Sequence, residues 1–425
     1  MTTARVNGLR SGPRTGTGGP VSPSCVLEGE HGELTDSFRS FIARELVPLA
    51  AELPEDCDLP PTELRDWVRR RSAALGFYAG DHPEELGGSD VPFSAVVQLH
   101  HAAGASGCPL APYALAGSDG PSPLLRAGTP TQIERYLAPL VRGEALRCLA
   151  LTEPDAGSDA FSLATTARRT GDGGWTLSGR KTFVSHADRA DFALVVATVP
   201  FDGEGGEGGE GREGRPSGTH PVGGPTAFIV PMDTPGLRIG QRFAGMSGEP
   251  LFELLLDGVR LGADAVVGGE PGIGAALGQG MDSLSRGRLV VAAQCNGIAE
   301  YALELGVAHA RERRAFGARI GSYQHVQEHL VTSRAEVEAA KLLTLACARL
   351  VDGGTELPEH AALAKLTSSE TAVRVVDRSL RVHGAGGWVR GHPLEFLYRH
   401  VRMMTIIEGT SEIQKVIVAR AMGLA

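Results

Sequence analysis

One stretch joins a candidate base to a backbone able to aim it. Residues 406–414 read IIEGTSEIQ, and Glu408 stands between the apolar pair Ile406 and Ile407 and a helix start at Thr410. Gly409 permits a sharp turn, Thr410 suits an N-cap, and Ile413, Val416 and Val418 are spaced to bury one side of the helix. A carboxylate fixed on such a linker is placed as a proton-abstracting group must be. The same residues also suit a plain surface turn, and alone they leave that alternative open.

Four further segments have residue types that could hold a ligand. TEPDAGSD, residues 152–159, is a turn in which Thr152 and Ser158 offer hydroxyls beside exposed backbone N–H groups, suited to a flavin edge or a phosphate or to an ordinary Asp/Ser turn. In GRKTFVSHADRAD, residues 179–191, Phe183 and Ser185 lie two apart on a strand, where a ring and a hydroxyl could meet a flat heteroaromatic group or simply pack. In RERRAFGARIGSYQHVQ, residues 311–327, Arg313 ends a helix, Gly317 breaks the chain and Gln324 opens the next helix. A guanidinium there could grip a diphosphate or be a solvated charge. RVHGAGGW, residues 381–388, is a glycine-rich bend that would admit a ligand close to the backbone. Arg288 precedes an apolar run and is expected to be half-buried with an anionic partner. The Walker pattern, a G-x-G-x-x-G turn leading from a strand into a helix, a nucleophile elbow and a metal-ligand set are all missing, and the histidines are assigned to helix faces or interiors.

The elements that must position these residues fall into three blocks. Residues 1–28 read as a disordered leader, with a transit peptide as the alternative that their weak amphipathic pattern favours less. Helical spacing marks residues 34–53, 64–75, 93–103 and 129–142, within an N-terminal helical domain over residues 29–149. From residue 150 to 268 the pattern changes to short β-rich runs: 175–177, 181–184, 192–198, 226–230, 237–242 and 251–256, as in an antiparallel barrel-like domain. The Gly- and Glu-rich residues 203–224 read as a mobile loop between two of these strands. Residues 269–425 return to long helices, with apolar stripes at Val326–Val351 and Leu363–Leu380 as expected of neighbours in a bundle. The fold class is therefore α+β.

With 42% hydrophobic residues in 425, the chain can bury several cores. A net charge of −9 and no long basic tract argue against nucleic acid as a partner. No stretch reaches the roughly 20 apolar residues of a membrane span. Six widely spaced cysteines suggest neither a disulfide framework nor a zinc site, and a cytoplasmic location is expected.

From about residue 30 onward the sequence resembles the acyl-CoA dehydrogenase family of flavoproteins. The likeness rests on five blocks in order: PEELGG (83–88), LTEPDAGSD (151–159), GRKTFVSHADRAD (179–191), RRAFG (313–317) and IIEGTSEIQ (406–414). The resemblance implies an N-terminal helical domain, a middle β domain and a C-terminal four-helix bundle, with FAD bound without a Rossmann unit. It implies flavin and diphosphate contacts for Thr152 and Ser158, a flavin-side place for Phe183 and Ser185, and cofactor contacts for Arg381, Gly384, Ala385, Thr410 and Glu412. Arg313 would reach the FAD diphosphate of a partner subunit, with Phe316 and Gln324 nearby, in a homodimer or homotetramer. Ser158, Arg288, Ile407 and Gly409 fall on the substrate side. Glu408 matches the catalytic base, which removes the pro-R α proton of an acyl thioester while a hydride leaves the β carbon for flavin N5, giving a trans-2-enoyl thioester.

Several positions depart from the family pattern. Arg381 stands where Gln is common, Ala385 replaces a glycine, and Ile407 occupies a place that bears Tyr in some members. His400 follows Arg399 where Arg-Asp is usual, removing a local carboxylate, and GMSGEPL at 245–251 is altered. The expected substrate is a short or branched acyl thioester on coenzyme A or on an acyl- or peptidyl-carrier protein; Arg69, Arg70 and Arg71 could offer such a carrier a basic cluster, but they read first as a solvated helix end. Electron-transfer flavoprotein is the expected reoxidant. The alternatives are an oxygen-using oxidase or monooxygenase and a catalytically inactive carrier-binding scaffold.

Overall fold

A computed structural model describes residues 31–160, 162–200, 223–355 and 358–424, and in the helix beginning at Ala276 the side chains of 277 and 279–283 are excluded. The expected leader and nearly all of the Gly- and Glu-rich stretch lie outside the described residues.

The N-terminal block is helical where apolar spacing predicts. Helix α1, Gly32–Phe41, continues through a π turn at Ile42–Leu46, and α2 and α3 span Thr62–Ala74 and Phe93–Ala105. Phe38, Phe41 and Phe77 form an aromatic cluster at its centre, with Phe38 and Phe77 edge to face at 5.2 Å.

Seven strands form one sheet: β1 Arg147–Ala150, β2 Thr166–Arg169, β3 Trp175–Ser185, β4 Phe192–Val199, β5 Gly224–Pro231, β6 Leu237–Ala244 and β7 Pro250–Leu261. The order is β1-β4-β2-β3-β7-β6, and β5 pairs with β4. Most pairs are antiparallel, but β1 and β2 each run parallel to β4. The sequence reading missed β1 and β2 because each is only four residues long, too short to show a period. It also split β3 in two, since Gly179 and a register shift between Lys181 and Val184 interrupt the alternation. Trp175 and Phe228 meet edge to face at 5.3 Å inside the sheet core.

The C-terminal block contains α4 Ala276–Glu312, α5 Gln324–Asp352, α6 Pro358–His383, α7 Pro393–Met404 and α8 Ser411–Ala421. Val291, Cys295, Ile298, Val337, Val375, Val376 and Leu394 form its core. Helix α3 crosses α4 almost backbone to backbone: a Cβ on Gly297 would fall 2.2 Å from the His101 carbonyl oxygen. That close approach joins the N-terminal block to the bundle and forms one wall of the site.

Candidate active site

Thr410 begins α8 as expected, accepting the Ile413 N–H at 3.3 Å. The face of α8 that is buried is not the expected apolar one: Ser411 and Gln414 are buried, whereas Val416 is 40% exposed. The polar side chains are used to hold the preceding turn. Gln414 Nε2 donates to the Glu408 carbonyl at 3.0 Å and to the Gly409 carbonyl at 2.8 Å. Lys365, fully buried on α6, donates Nζ to the Gly409 carbonyl at 2.9 Å. Arg288 on α4 donates Nε to the Glu408 carbonyl at 3.3 Å. Three side chains from three helices thus fix two adjacent carbonyls, and Glu408 is held at φ 53°, a left-handed conformation that side chains rarely adopt.

The half-buried Glu408 side chain turns toward α4. A Cβ on Gly287 would lie 2.9 Å from Glu408 Oε2, so the carboxylate rests against helix backbone where any other residue would intrude. Burial pushes the Glu408 carboxyl above its usual range, and the charges of Arg288, Arg147 and Lys365 limit the rise. Burial in turn pushes Lys365 down to about 8. Arg288 is 3% exposed, more deeply buried than expected. Its direct bond is to the Glu408 carbonyl and not to a carboxylate, and the Glu408 charge reaches it only through space.

Glu408 faces a cavity of about 770 Å³. Its walls come from α3 (Phe93, Val96, His100), α4 (Val290, Gln294, Ile298), α7 (Phe396, His400, Met403), Ile407, and Arg147 and Leu149 of β1. His100 Nδ1 and Gln294 Nε2 lie 3.2 Å apart, and burial lowers both His100 and His400 to about 4, leaving the imidazoles neutral. A mostly apolar, concave chamber with a few fixed polar groups suits an acyl chain.

The turn at 152–159 is tied to the sheet by a buried ion pair. Lys181 Nζ meets Glu153 Oε1 at 2.7 Å and donates to the Leu151 carbonyl at 2.9 Å. The Glu153 carboxylate also accepts the Ala164 and Thr165 N–H groups at 2.6 and 3.0 Å. Burial pushes the Glu153 carboxyl up, but these bonds outweigh it and hold it low. Thr152 accepts the Thr182 N–H at its carbonyl at 2.9 Å and Ser158 is exposed. Phe183 sits at φ 55° in the β3 bulge with 56% of its surface exposed, beside Phe243 at 5.1 Å, and Ser185 ends the strand half-buried. Thr152, Ser158, Phe183 and Ser185 therefore sit along one turn and the strand bonded to it, and the uncovered Phe183 ring fits a planar cofactor.

The remaining candidates gather at the other end of the bundle. Arg313 follows the last residue of α4, Phe316 is 97% exposed at a hairpin tip, and Gln324 opens α5. His309 and His383 stack at 4.3 Å, which brings the end of α4 to exposed Arg381, Gly384 and Ala385 after α6. Arg381 pairs with Asp377 at 2.9 Å. Glu412 lies apart from this group, exposed on the first turn of α8 beside the Glu408 turn.

Two expectations are corrected. Arg69 is 6% exposed, bound to the Gly143 carbonyl and Asp66, so residues 69–71 do not form a basic surface cluster. Arg399 does not lack a carboxylate: Asp58 and Glu395 meet it at 2.6 and 2.7 Å, one supplied from a distant part of the chain.

Lys365, Gln414, Gly287, Arg147 and the Glu153–Lys181 pair were not singled out in the sequence. Lys365 left one trace, as a lysine among Ala361, Ala362 and Ala364 on a buried face.

Comparison with known proteins places this arrangement. Models of the acyl-CoA dehydrogenase N-terminal, middle and C-terminal domains match residues 28–144, 148–259 and 277–423. The 3-(aryl)acrylate reductase of Clostridium sporogenes is 33% identical over 401 residues, covering 92% of this chain and 97% of that protein. The mitochondrial short-chain specific acyl-CoA dehydrogenase of Bos taurus is 33% identical over 405 residues, covering 94% and 91%. The solved butyryl-CoA dehydrogenase of Megasphaera elsdenii superposes with a TM-score of 0.76 at 27% identity, covering 96% and 100%. With all three domains matched and relatives aligned over nearly the whole chain, the protein belongs to the acyl-CoA dehydrogenase family of flavoprotein oxidoreductases.

Proposed function

We propose that the protein removes two hydrogens from the α and β carbons of a short or branched acyl thioester, with Glu408 as the base. The observation that carries this reading is the Glu408 turn. Its backbone is pinned by three donors, while among the described residues its carboxylate accepts no hydrogen bond and its own N–H has no acceptor. The free carboxylate takes the α proton, and the free N–H is available to the thioester carbonyl as charge develops on it. Bound FAD supplies the acceptor for the hydride that leaves the β carbon, so the product is the 2-enoyl thioester and the two electrons are accounted for. Thr152, Ser158, Phe183 and Ser185 would hold its ring side.

Arg313 directly follows the helix that carries Arg288, and the 24 residues from Arg288 to the helix's last residue, Glu312, span about 36 Å at about 1.5 Å per residue. It is too far away to serve the Glu408 site of its own chain, which supports a role toward a partner's cofactor in a homodimer or homotetramer. Coenzyme A or a carrier-protein arm would bear the acyl group, and an electron-transfer flavoprotein would remove the electrons.

Mixing anaerobic, FAD-loaded protein with a panel of acyl thioesters tests the reading through flavin bleaching. Glu408→Gln should retain binding and lose bleaching by about 10²-fold or more. A variant that bleaches at the parent rate removes Glu408 from the role.

A further inference from the structure

Five residues of the cavity wall each hold a buried polar atom without a partner among the described residues, Arg65, Tyr78, Arg147, Arg189 and His400, and of these Arg147 and Tyr78 are the most deeply buried. Arg147, 6% exposed, donates Nε to the Gly120 carbonyl at 2.7 Å, while its Nη1 meets no acceptor. Tyr78 is 3% exposed and its hydroxyl is also unpartnered. The two converge on the same residue, because a Cβ on Gly120 would lie 2.8 Å from the Tyr78 hydroxyl. Both side chains line the chamber that contains Glu408. A buried donor left unmade is costly, most of all on a cation, and an occupant with matching oxygens removes that cost.

The surrounding charge selects the occupant. Asp66 pairs with both Arg69 and Arg189, at 3.0 and 2.7 Å. Asp119 has His186 as its ion-pair neighbour at 4.0 Å, and Arg147 makes no ion pair among the described residues. Asp66 is thus shared by two guanidinium groups, while Arg147 has no carboxylate in contact and feels Asp119 and Glu408 only at a distance. A hydrocarbon terminus would satisfy neither Arg147 nor Tyr78, whereas a carboxylate accepts from both.

We propose that Arg147 and Tyr78 bind the far end of the acyl group, and that the preferred substrates are short thioesters whose chain ends in a carboxylate. This rests on the dehydrogenase reading above and adds the substrate class to it. Neither residue touches the reacting carbons in this assignment; both set specificity. A site built to donate hydrogen bonds discriminates strongly against chains that cannot accept them.

The test uses the full-length FAD-loaded protein with succinyl-, glutaryl- and adipyl-CoA, their monomethyl esters, and butyryl- and hexanoyl-CoA. In the parent, kcat/KM for the best carboxyacyl thioester should exceed that of its methyl ester by about 10- to 100-fold. Arg147→Met should collapse that ratio, chiefly through KM, and Arg147→Lys should keep part of it. Binding is read separately in the Glu408→Gln background. There the carboxyacyl thioester should raise the melting midpoint more than its methyl ester, and adding Arg147→Met should abolish the difference.

Equal parent rates on acid and ester overturn the proposal. So does an Arg147→Met variant that lowers all substrates equally or loses FAD. Bleaching by neutral thioesters alone sinks this inference and leaves the dehydrogenase standing, whereas bleaching by no thioester sinks both.

Discussion

Gly287→Ala should slow flavin reduction without unfolding the protein. The added Cβ would sit 2.9 Å from Glu408 Oε2, 3.2 Å from Cδ and 3.7 Å from Oε1, whereas ordinary contact begins near 3.4 Å. The carboxylate must therefore retreat by about 0.5 Å. The backbone cannot follow, because Arg288, Lys365 and Gln414 clamp the Glu408 and Gly409 carbonyls, so the side chain has to rotate away. If a misplacement of about 1 Å costs about 10²-fold, half of it costs about 10-fold, or roughly 1.4 kcal/mol of barrier. Alanine in a helix interior is meanwhile favoured over glycine by up to about 1 kcal/mol, so the melting temperature should hold or rise. Anaerobic stopped-flow reduction at saturating thioester and a thermal melt measure the two quantities. A reduction rate within twofold of the parent would show that the carboxylate does not depend on this contact, and parallel losses of rate and stability would make the effect one of folding.

Two further outcomes follow from buried charges. Lys181→Met strands the Glu153 carboxylate and should cost about 3 to 5 kcal/mol, with weaker FAD retention because the 152–159 turn loosens; chemical denaturation and flavin release check both. Burial raises the Glu408 carboxyl, so the folded state binds that proton more tightly than the unfolded chain. Stability from this group is full below the unfolded value near 4.5 and is lost as pH rises through the raised folded value. Glu408→Gln should accordingly melt above the parent at pH 8, with the gap closing toward pH 4; a constant gap refutes the assignment. The same raised carboxyl makes the parent's reduction rate fall on the acid side with a midpoint above 4.5.

The order of helical, β and helical blocks was legible because long elements repeat their period many times. Val326–Val351 and Leu363–Leu380 each cover several turns, and the observed α5 and α6 extend only a few residues beyond them. β1 and β2 were not legible, since four residues give two points on each face. Glu408 could be picked out because its neighbours are unusual in sequence. The groups that hold it lie from 6 to 120 residues away, and their roles come from packing: Lys365 and Arg288 read locally as stray charges in helices. The α8 expectation failed for a related reason. Its inward face is chosen by carbonyls that need donors, and Gln414 serves them where an apolar residue could not.

That last point bears on how a general base is built. A carboxylate positioned by donors to its own oxygens would be aimed well but stabilised as the anion, with its lone pairs already occupied and its proton affinity lowered. Here the donors go to the carbonyls of Glu408 and Gly409, so the position is fixed through the backbone and the carboxylate oxygens stay open. The three cations near it act on the Glu408 carboxylate only through space, against a burial that raises its proton affinity. Two of them, Arg288 and Lys365, spend a hydrogen bond on the clamp itself, so one pair of side chains sets both the aim of the base and how far its affinity rises. Orientation and basicity are thereby supplied by the same residues through different atoms, which is why removing either cation should disturb both at once.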